Sequence, residues 1–391
     1  MVDRIAAEKL KEKMDRDEDF FLIDTRQPFD FQGWHIKDAI NFPYIPSEGF
    51  NSDKFRSLAN REGISEEEEI LTICAKGISS HQLAEKLEEE GYSKAKAVDG
   101  GMQAWSGVYD TVNISTKNED IKITQLQRRA KGCLGYLVGS KSGGEAAAID
   151  VSRYTHKFVE AASAAGFKIT AVFDTHIHAD HISGGRKLAD KLEVPYFLGS
   201  EALERTDELD FRPVDRNQVV TVGGVKIKAI HTPGHTSEMT SWLIEDEALI
   251  SGDSLFVDSV GRTELEFQEE GGKRGARLQY DSLKNRVMSL PDTVKVLPGH
   301  FSLADSGETP GVTPGTPIFS TIGNLRGSNE ALKMGEEEFI AFLTGKLPTK
   351  PPNYEEIIEL NLGEAEAEEE KAIELELGPN RCAATEESMT A

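Results

Sequence analysis

The residues most able to do chemistry are packed into positions 175–181, which read Thr-His-Ile-His-Ala-Asp-His. They follow an apolar run at residues 169–173, which predicts a buried strand. Three imidazoles and a carboxylate are ligands that borderline divalent metals take, and a loop at the end of a strand can turn them all inward. The motif therefore predicts a metal site at a strand end.

Three further apolar runs have the same design, because each ends beside a glycine and delivers one more His or Asp. A glycine at such a position permits a close approach of the backbone. Four strand-terminal ligand types in series predict that they meet at one edge of a sheet. The three added residues are His235, Asp253 and His300, after residues 225–230, 248–252 and 294–297.

A second reactive candidate is Cys74, which lies between a strand pattern at residues 70–73 and an amphipathic helix at residues 81–90. The turn between them contains Gly77, and its backbone N–H groups can converge on the sulfur. Such a nest beside a helix N-terminus lowers the pKa of a thiol, as suits a cysteine that carries a transferable sulfur. From spacing alone, a small buried apolar role for Cys74 is an open alternative.

Bulk composition limits the function classes. The 391 residues are many for one core, and the formal net charge of −24 argues against nucleic acid, which needs Lys and Arg surfaces. No apolar stretch approaches the roughly 20 residues that span a bilayer, and no apolar signal-peptide core begins the chain. Three widely spaced cysteines form no disulfide framework. We expect a soluble, cytoplasmic, two-domain protein without membrane partners, and leave open whether it forms a homo-oligomer.

Residues 1–112 alternate strand and helix patterns and resemble a rhodanese domain. The resemblance implies an α/β fold in which Cys74 becomes a persulfide, and a working sulfurtransferase rather than an inactive interaction module. Ala75 departs from the arginine often found at its position. The motifs that carry the resemblance are residues 22–26, 35–41, 100–101 and Trp105. The implied persulfide loop is Ala75, Lys76, Gly77, Ile78 and Ser79 after Cys74.

The order of ligand types along the second half of the chain resembles the metallo-β-lactamase fold, an αββα sandwich. Its dinuclear zinc members imply two ligand sets bridged by Asp253. All seven positions are filled, so the ligand types do not choose between one metal and two. One implied set is His176, His178 and His235, and the other is Asp180, His181 and His300.

Residues 261–265 are similar to a stretch of persulfide dioxygenases within that fold, although Glu264 stands where aspartate is usual. This resemblance implies one Fe(II) per chain on a face of two His and one Asp, with open positions for O2 and a substrate sulfur. Arg262 is a candidate contact for the carboxylate of a thiol carrier, or else the partner of an internal acid. The implied iron ligands are His176, His235 and Asp253, supported by His178, Asp180, His181 and His300.

The two resemblances imply a persulfide dioxygenase coupled to sulfur transfer. The iron domain would oxidise a glutathione-like or coenzyme A-like thiol persulfide with O2 to sulfite. Cys74 would pass sulfane sulfur to the thiol carrier, or to sulfite to make thiosulfate. The alternative is a dinuclear zinc thioester hydrolase of the glyoxalase II type, with two Zn per chain, which the complete ligand set favours.

The C-terminal end is acidic, and its alternating residues 373–377 allow a short edge strand. We expect Cys382 to be an idle thiol of this tail rather than a sulfur relay. The predicted divisions are the rhodanese-like domain at 1–112, a polar linker at 113–119, the metallo-β-lactamase-fold domain at 120–345 and the extension at 346–391.

Overall fold

The structure is a computed structural model, and it confirms the predicted fold class, an α/β domain followed by an αββα sandwich. The predicted C-terminal extension at 346–391 is described only in part, because residues 346–349, 352, 379, 381 and 385–391 lie outside the described residues. The described residues are 2–301, 315–345, 350–351, 353–378, 380 and 382–384.

The N-terminal domain is built on a sheet of five parallel strands. The strands are β1 (Arg4–Ile5), β2 (Phe21–Asp24), β3 (Ile40–Asn41), β4 (Ile70–Ile73) and β5 (Ala95–Val98). The helices are α1 (Ala7–Asp15), α2 (Pro28–Gly33), α3 (Ser52–Glu62), α4 (Ser79–Glu89) and α5 (Gly101–Trp105). The order β1-β5-β4-β2-β3 makes β4 the central strand, and its four residues are all buried. The central strand therefore delivers Cys74 to the carboxyl edge of the sheet.

The second domain begins with a seven-stranded sheet in sequential order. Its strands are β6 (Tyr109–Ile114), β7 (Ile121–Arg128), β8 (Cys133–Ser140), β9 (Glu145–Ile149), β10 (Lys168–Phe173), β11 (Tyr196–Gly199) and β12 (Arg212–Val214). Strands β6 to β9 are antiparallel, and β9 to β12 are parallel. Helices α6 (Thr155–Ala165) and α7 (Gly185–Leu192) cover its outer face through Phe158 and Leu188.

A six-stranded sheet packs against the first. Its order is β13 (Val219–Val222), β14 (Val225–His231), β15 (Thr240–Ile244), β16 (Ala248–Gly252), β18 (Lys295–Pro298) and β19 (Ser320–Thr321). Tyr136 and Phe173 of the first sheet share one buried core with Trp242 of the second. The outer helices are α8 (Lys273–Asp281), continued by a π-helical turn at Ser282–Val287, α9 (Ile322–Ser328) and α10 (Glu336–Gly345). These layers form the predicted αββα sandwich.

The prediction of a linker was wrong for residues 113–114, and the boundary at residue 112 falls inside a strand. Strand β6 pairs with β7 along its whole length, from Tyr109 opposite Arg128 to Ile114 opposite Ile123. It is an edge strand with one half-exposed face, so its polar residues do not interrupt the pairing. The second domain therefore begins near residue 109.

The C-terminal extension crosses both domains. The edge strand allowed at residues 373–377 was wrong, because α12 (Glu369–Leu375) occupies most of this stretch after α11 (Tyr354–Leu362). A later pair, β20 (Ala383–Ala384), instead runs antiparallel to β17 (Val260–Gly261). Among the described residues, none of the helices is long and apolar enough to cross a bilayer.

Candidate functional site

The metal-ligand types are carried by strand ends of both sheets, which open at the same edge of the sandwich. His176 lies three residues beyond β10, whereas Asp253 and His300 follow the parallel neighbours β16 and β18. Gly299 permits this close approach, since a Cβ atom there would lie 2.5 Å from Asp253 Oδ1. The predicted convergence at one sheet edge is therefore present in the structure.

Three buried atoms converge without any hydrogen-bond partner among the described residues. His176 Nε2 lies 3.8 Å from Asp253 Oδ2, and His235 Nε2 lies 3.6 Å from the same oxygen. An unpaired buried polar atom costs about 1–3 kcal/mol, so three of them aimed at one point need a shared partner. Two imidazole nitrogens and a carboxylate oxygen are a donor set that fits a divalent metal ion.

The other polar atom of each side chain, Nδ1 of the two imidazoles and Oδ1 of the carboxylate, is already hydrogen-bonded. His235 Nδ1 donates to the carbonyl oxygen of Arg262 at 2.6 Å, and His176 Nδ1 lies 2.9 Å from the hydroxyl of Thr175. Asp253 Oδ1 accepts from His300 Nδ1 at 2.7 Å. These bonds fix each side chain and leave the lone pairs of Nε2 and Oδ2 for a metal.

The electrostatics of the three-residue site favour metal binding. Burial, reinforced by His178, lowers the pKa of His176 well below its usual value, so its imidazole is neutral. Burial opposes ionisation of Asp253, but the nearby His300 outweighs it and lowers the pKa of the carboxyl. A neutral imidazole and an ionised carboxylate are the forms that bind a metal.

The remaining four predicted ligands divide into two groups. The His178 ring packs against that of His176, with centroids 4.2 Å apart, but its Nε2 lies 3.5 Å from Asp150 Oδ1 and groups with Asp150 and Asp174. Asp180, His181 and His300 lie together, and His300 Nε2 is 3.0 Å from Asp180 Oδ2. The structure thus brings together His176, His235 and Asp253, but not the set of His176, His178 and His235.

Two thiols border this ligand cluster, and sequence reasoning missed both. Cys133 is buried, and its Sγ donates to Asp180 Oδ2 at 3.5 Å. Cys382 is fully buried beside Asp253 and His300, so it is not a thiol of a free tail. Its carbonyl oxygen accepts from the backbone N–H of Arg262 at 2.9 Å. No local pattern near either cysteine carries a ligand spacing that points to the site.

Arg262 forms the internal ion pair that was one of its two expected roles. Its side chain is 1% exposed, and its Nε donates to Glu264 Oε1 at 2.7 Å. A buried guanidinium needs such a partner, because the charge is costly without one. Glu264, which stands where aspartate is usual, therefore supplies the carboxylate that balances the charge of Arg262.

The Cys74 loop joins the central strand to helix α4. Gly77 has a φ of +77° and packs against Gly100 and Gly101, where a side chain would meet the backbone. Burial raises the pKa of the Cys74 thiol, but hydrogen bonds from Ser79 and Ser80 outweigh it, and the net pKa is lowered. The loop therefore stabilises a thiolate, the reactive form of a cysteine.

Replacing Ser80 by alanine should raise the pKa of Cys74. Ser80 is fully buried, and its hydroxyl donates to Cys74 Sγ at 3.2 Å, so Ser80→Ala removes a bond to the thiolate. The pH midpoint of Cys74 alkylation by iodoacetamide should rise, with slower alkylation at neutral pH. Ser57→Ala, at an exposed serine on α3, is the matched control. An unchanged or lower midpoint in Ser80→Ala would contradict the role of the hydroxyl.

Comparisons with known proteins find a family match for each of the two domains. Residues 6–107 match the rhodanese-like domain, and residues 132–300 match the metallo-beta-lactamase superfamily. A hydroxyacylglutathione hydrolase of Rhodopseudomonas palustris (strain BisA53) is 31% identical over 47% of this chain and 68% of its own. The chain belongs to the metallo-beta-lactamase superfamily. Its rhodanese-like domain precedes the metallo-beta-lactamase domain.

Solved structures share the metallo-beta-lactamase fold. A metallo-beta-lactamase from Staphylococcus aureus is 30% identical, with a TM-score of 0.56 over 63% of this chain and 73% of that chain. ETHE1 from Myxococcus xanthus, 24% identical, has a TM-score of 0.53 over 62% of this chain and 98% of its own, which shows a shared fold. The first curated relatives, a glyoxylase B2 of Dictyostelium discoideum among them, are matched over only 61% to 62% of their length.

Proposed function

We propose that the protein is a persulfide dioxygenase with a sulfurtransferase domain, using one Fe(II) per chain. The observation that carries the proposal is the convergence of the unpartnered ligand atoms of His176, His235 and Asp253, which lie within 4.8 Å of one another. Two His and one carboxylate are the ligand set of non-haem iron oxygenases. The rhodanese-like Cys74 in the same chain supports sulfur as the substrate element.

The proposed reaction converts R–S–SH, O2 and H2O into R–SH, sulfite and two protons. Iron held by His176, His235 and Asp253 would offer open positions for the substrate sulfur and O2, and would exchange electrons with both. His300 holds Asp253 in orientation through Nδ1, and Arg262 holds His235 through its carbonyl oxygen. The buried walls of the site exclude bulk water from the reacting atoms.

The second candidate is a dinuclear zinc thioester hydrolase. It is favoured by the complete second set of Asp180, His181 and His300, and by the hydroxyacylglutathione hydrolases among the relatives. A metal-bound water is the nucleophile in that chemistry. The His178 ligand atom groups with Asp150 and Asp174 rather than with those of His176 and His235, which counts against it, because one of its two ligand sets is then incomplete.

Metal analysis combined with oxygen uptake separates the two candidates. Protein loaded anaerobically with Fe(II) should hold about one iron per chain and consume O2 when glutathione persulfide is added. Zinc-loaded protein, as the comparison, should consume none, because Zn²⁺ has no redox chemistry. Two zinc ions per chain with thioester hydrolysis, and no O2 uptake in the iron form, would overturn the dioxygenase.

A further inference from the structure

Cys74 opens into a cavity of about 610 Å³ that is lined by two different parts of the chain. Trp34 and Phe29 line it from the rhodanese-like domain, whereas Leu377 and Gly378 line it from the C-terminal extension. Pockets of roughly 300–1,000 Å³ bind drug-sized organic ligands. The volume of this cavity is therefore larger than a small inorganic acceptor needs. The extension, which follows the metal domain, is thus part of the sulfur-transfer cavity.

The extension is held firmly where it forms this wall. Glu376 is buried, and its Oε2 accepts from Arg128 at 2.9 Å and from Arg153 at 2.6 Å. Lys131 Nζ donates to the carbonyl oxygens of Glu376 at 3.2 Å and of Gly378 at 3.3 Å. Because residues on both sides of Leu377 are fixed, its place in the wall is set by the fold.

Two cations near Cys74 are already engaged by acids. Arg26 Nη2 lies 2.6 Å from Asp24 Oδ2 and also donates to the carbonyl oxygen of Trp34. Lys76 Nζ lies 2.7 Å from Glu370 Oε1 of the extension. An inorganic anion would have to compete with these carboxylates, whereas an organic group can bury itself against the apolar wall. The apolar side chain of Phe29 is available to such a group, since it is 86% exposed.

We propose that Leu377 and Phe29 select the acceptor of the Cys74 sulfane sulfur, and that the acceptor is an organic low-molecular-weight thiol. The proposal rests on the proposed function for the identity of Cys74 as a persulfide carrier. The acceptor thiolate attacks the outer sulfur of the Cys74 persulfide, forming a new S–S bond. The bond from the outer sulfur to Sγ breaks, and Cys74 leaves as a thiolate, so no oxidant or reductant is needed.

A short stretch of the extension joins the wall of this cavity to the metal-ligand cluster. Gly378 lines the cavity, and Cys382 contacts Asp253 and His300. Four residues of chain span at most about 14 Å between the Cα atoms of Gly378 and Cys382. The extension therefore places the wall of the Cys74 cavity within a few residues of a side chain that lies beside the metal ligands.

The test is an anaerobic single turnover of the full chain, with Cys74 first converted to the persulfide by thiosulfate. Leu377→Asp should lower the rate constant of sulfur transfer to glutathione about tenfold, equivalent to about 1.4 kcal/mol. The rate constant of sulfur transfer to cyanide should change less than about twofold, because cyanide needs no apolar wall. Phe29→Ala should act in the same direction, and Leu203→Asp, at a leucine 54% exposed outside the cavity, is the control.

A parallel fall for glutathione and cyanide, or an unchanged rate with glutathione in both variants, would overturn the selection. Because O2 is absent and the step does not involve the metal, failure here leaves the dioxygenase untouched. Conversely, normal sulfur transfer without persulfide-dependent O2 uptake would overturn only the proposed oxidation.

Discussion

Asp253→Ala should abolish metal binding and lower persulfide-dependent O2 uptake by roughly a thousandfold or more. Loss of a partner that merely orients a ligand already costs about 10- to 100-fold, and here a ligand itself is removed. The change also deprives His300 of the carboxylate that accepts from its Nδ1. Elemental analysis after anaerobic loading with Fe(II) should find well under one iron per chain.

The control for this experiment is Asp292→Asn, at an exposed aspartate that pairs with Arg326 on the surface. It should retain full iron content and activity, since exposed pairs contribute little. Asp253→Ala protein that still binds one iron per chain would contradict the ligand assignment. His178→Ala discriminates further: the proposed site keeps its iron, whereas a dinuclear site loses one of its metals.

Cys74→Ser should abolish sulfur transfer from thiosulfate while persulfide oxidation continues. The hydroxyl of serine is a far weaker nucleophile and cannot carry a sulfane sulfur, so we expect a loss of roughly a thousandfold or more. Oxidation of ready-made glutathione persulfide should stay within about twofold, because Cys74 belongs to a different domain from His176, His235 and Asp253.

The matched control is Cys133→Ser, which alters a buried thiol beside Asp180 without touching the Cys74 loop. It should leave sulfur transfer unchanged. The two activities are measured separately, by thiocyanate formation from cyanide and by an oxygen electrode. Equal loss of both activities in Cys74→Ser would contradict the division into two sites.

Much of the site was predictable because its signals are local. The strand before residues 175–181 and the strands before Asp253 and His300 are short apolar runs, and the structure has them within about one residue of the prediction. A short apolar run that is followed at once by a metal-ligand residue indicates where the strand ends. The Cys74 loop was equally local, lying between β4 and α4.

Other features were not predictable because distant parts of the chain determine them. Strand β6 is polar on one face, and only its pairing with β7 makes it a strand. His176 Nε2 faces Asp253, whereas His178 Nε2 lies beside Asp150, which follows the neighbouring strand β9. No spacing within residues 175–181 distinguishes these two histidines.

The extension shows the same limit more strongly. Its residues 373–377 alternate between apolar and acidic types, a strand pattern, yet α12 forms because Ala372 and Leu375 pack inward. Glu376 looks like one more solvated acid of a charged tail, but Arg128 and Arg153 bury it completely. A partner 248 residues away in the sequence leaves no trace in the local composition.

The ion pair between Arg128 and Glu376 also decides when a newly made molecule can finish folding. Arg128 emerges from the ribosome long before Glu376, and both side chains are fully buried in the final structure. A buried charge without its partner costs about 3–5 kcal/mol, so the junction of the two domains stays loose until Glu376 has been synthesised. Premature termination after His300 but before Glu376 would thus yield chains whose metal ligands are all present but whose domain junction never closes.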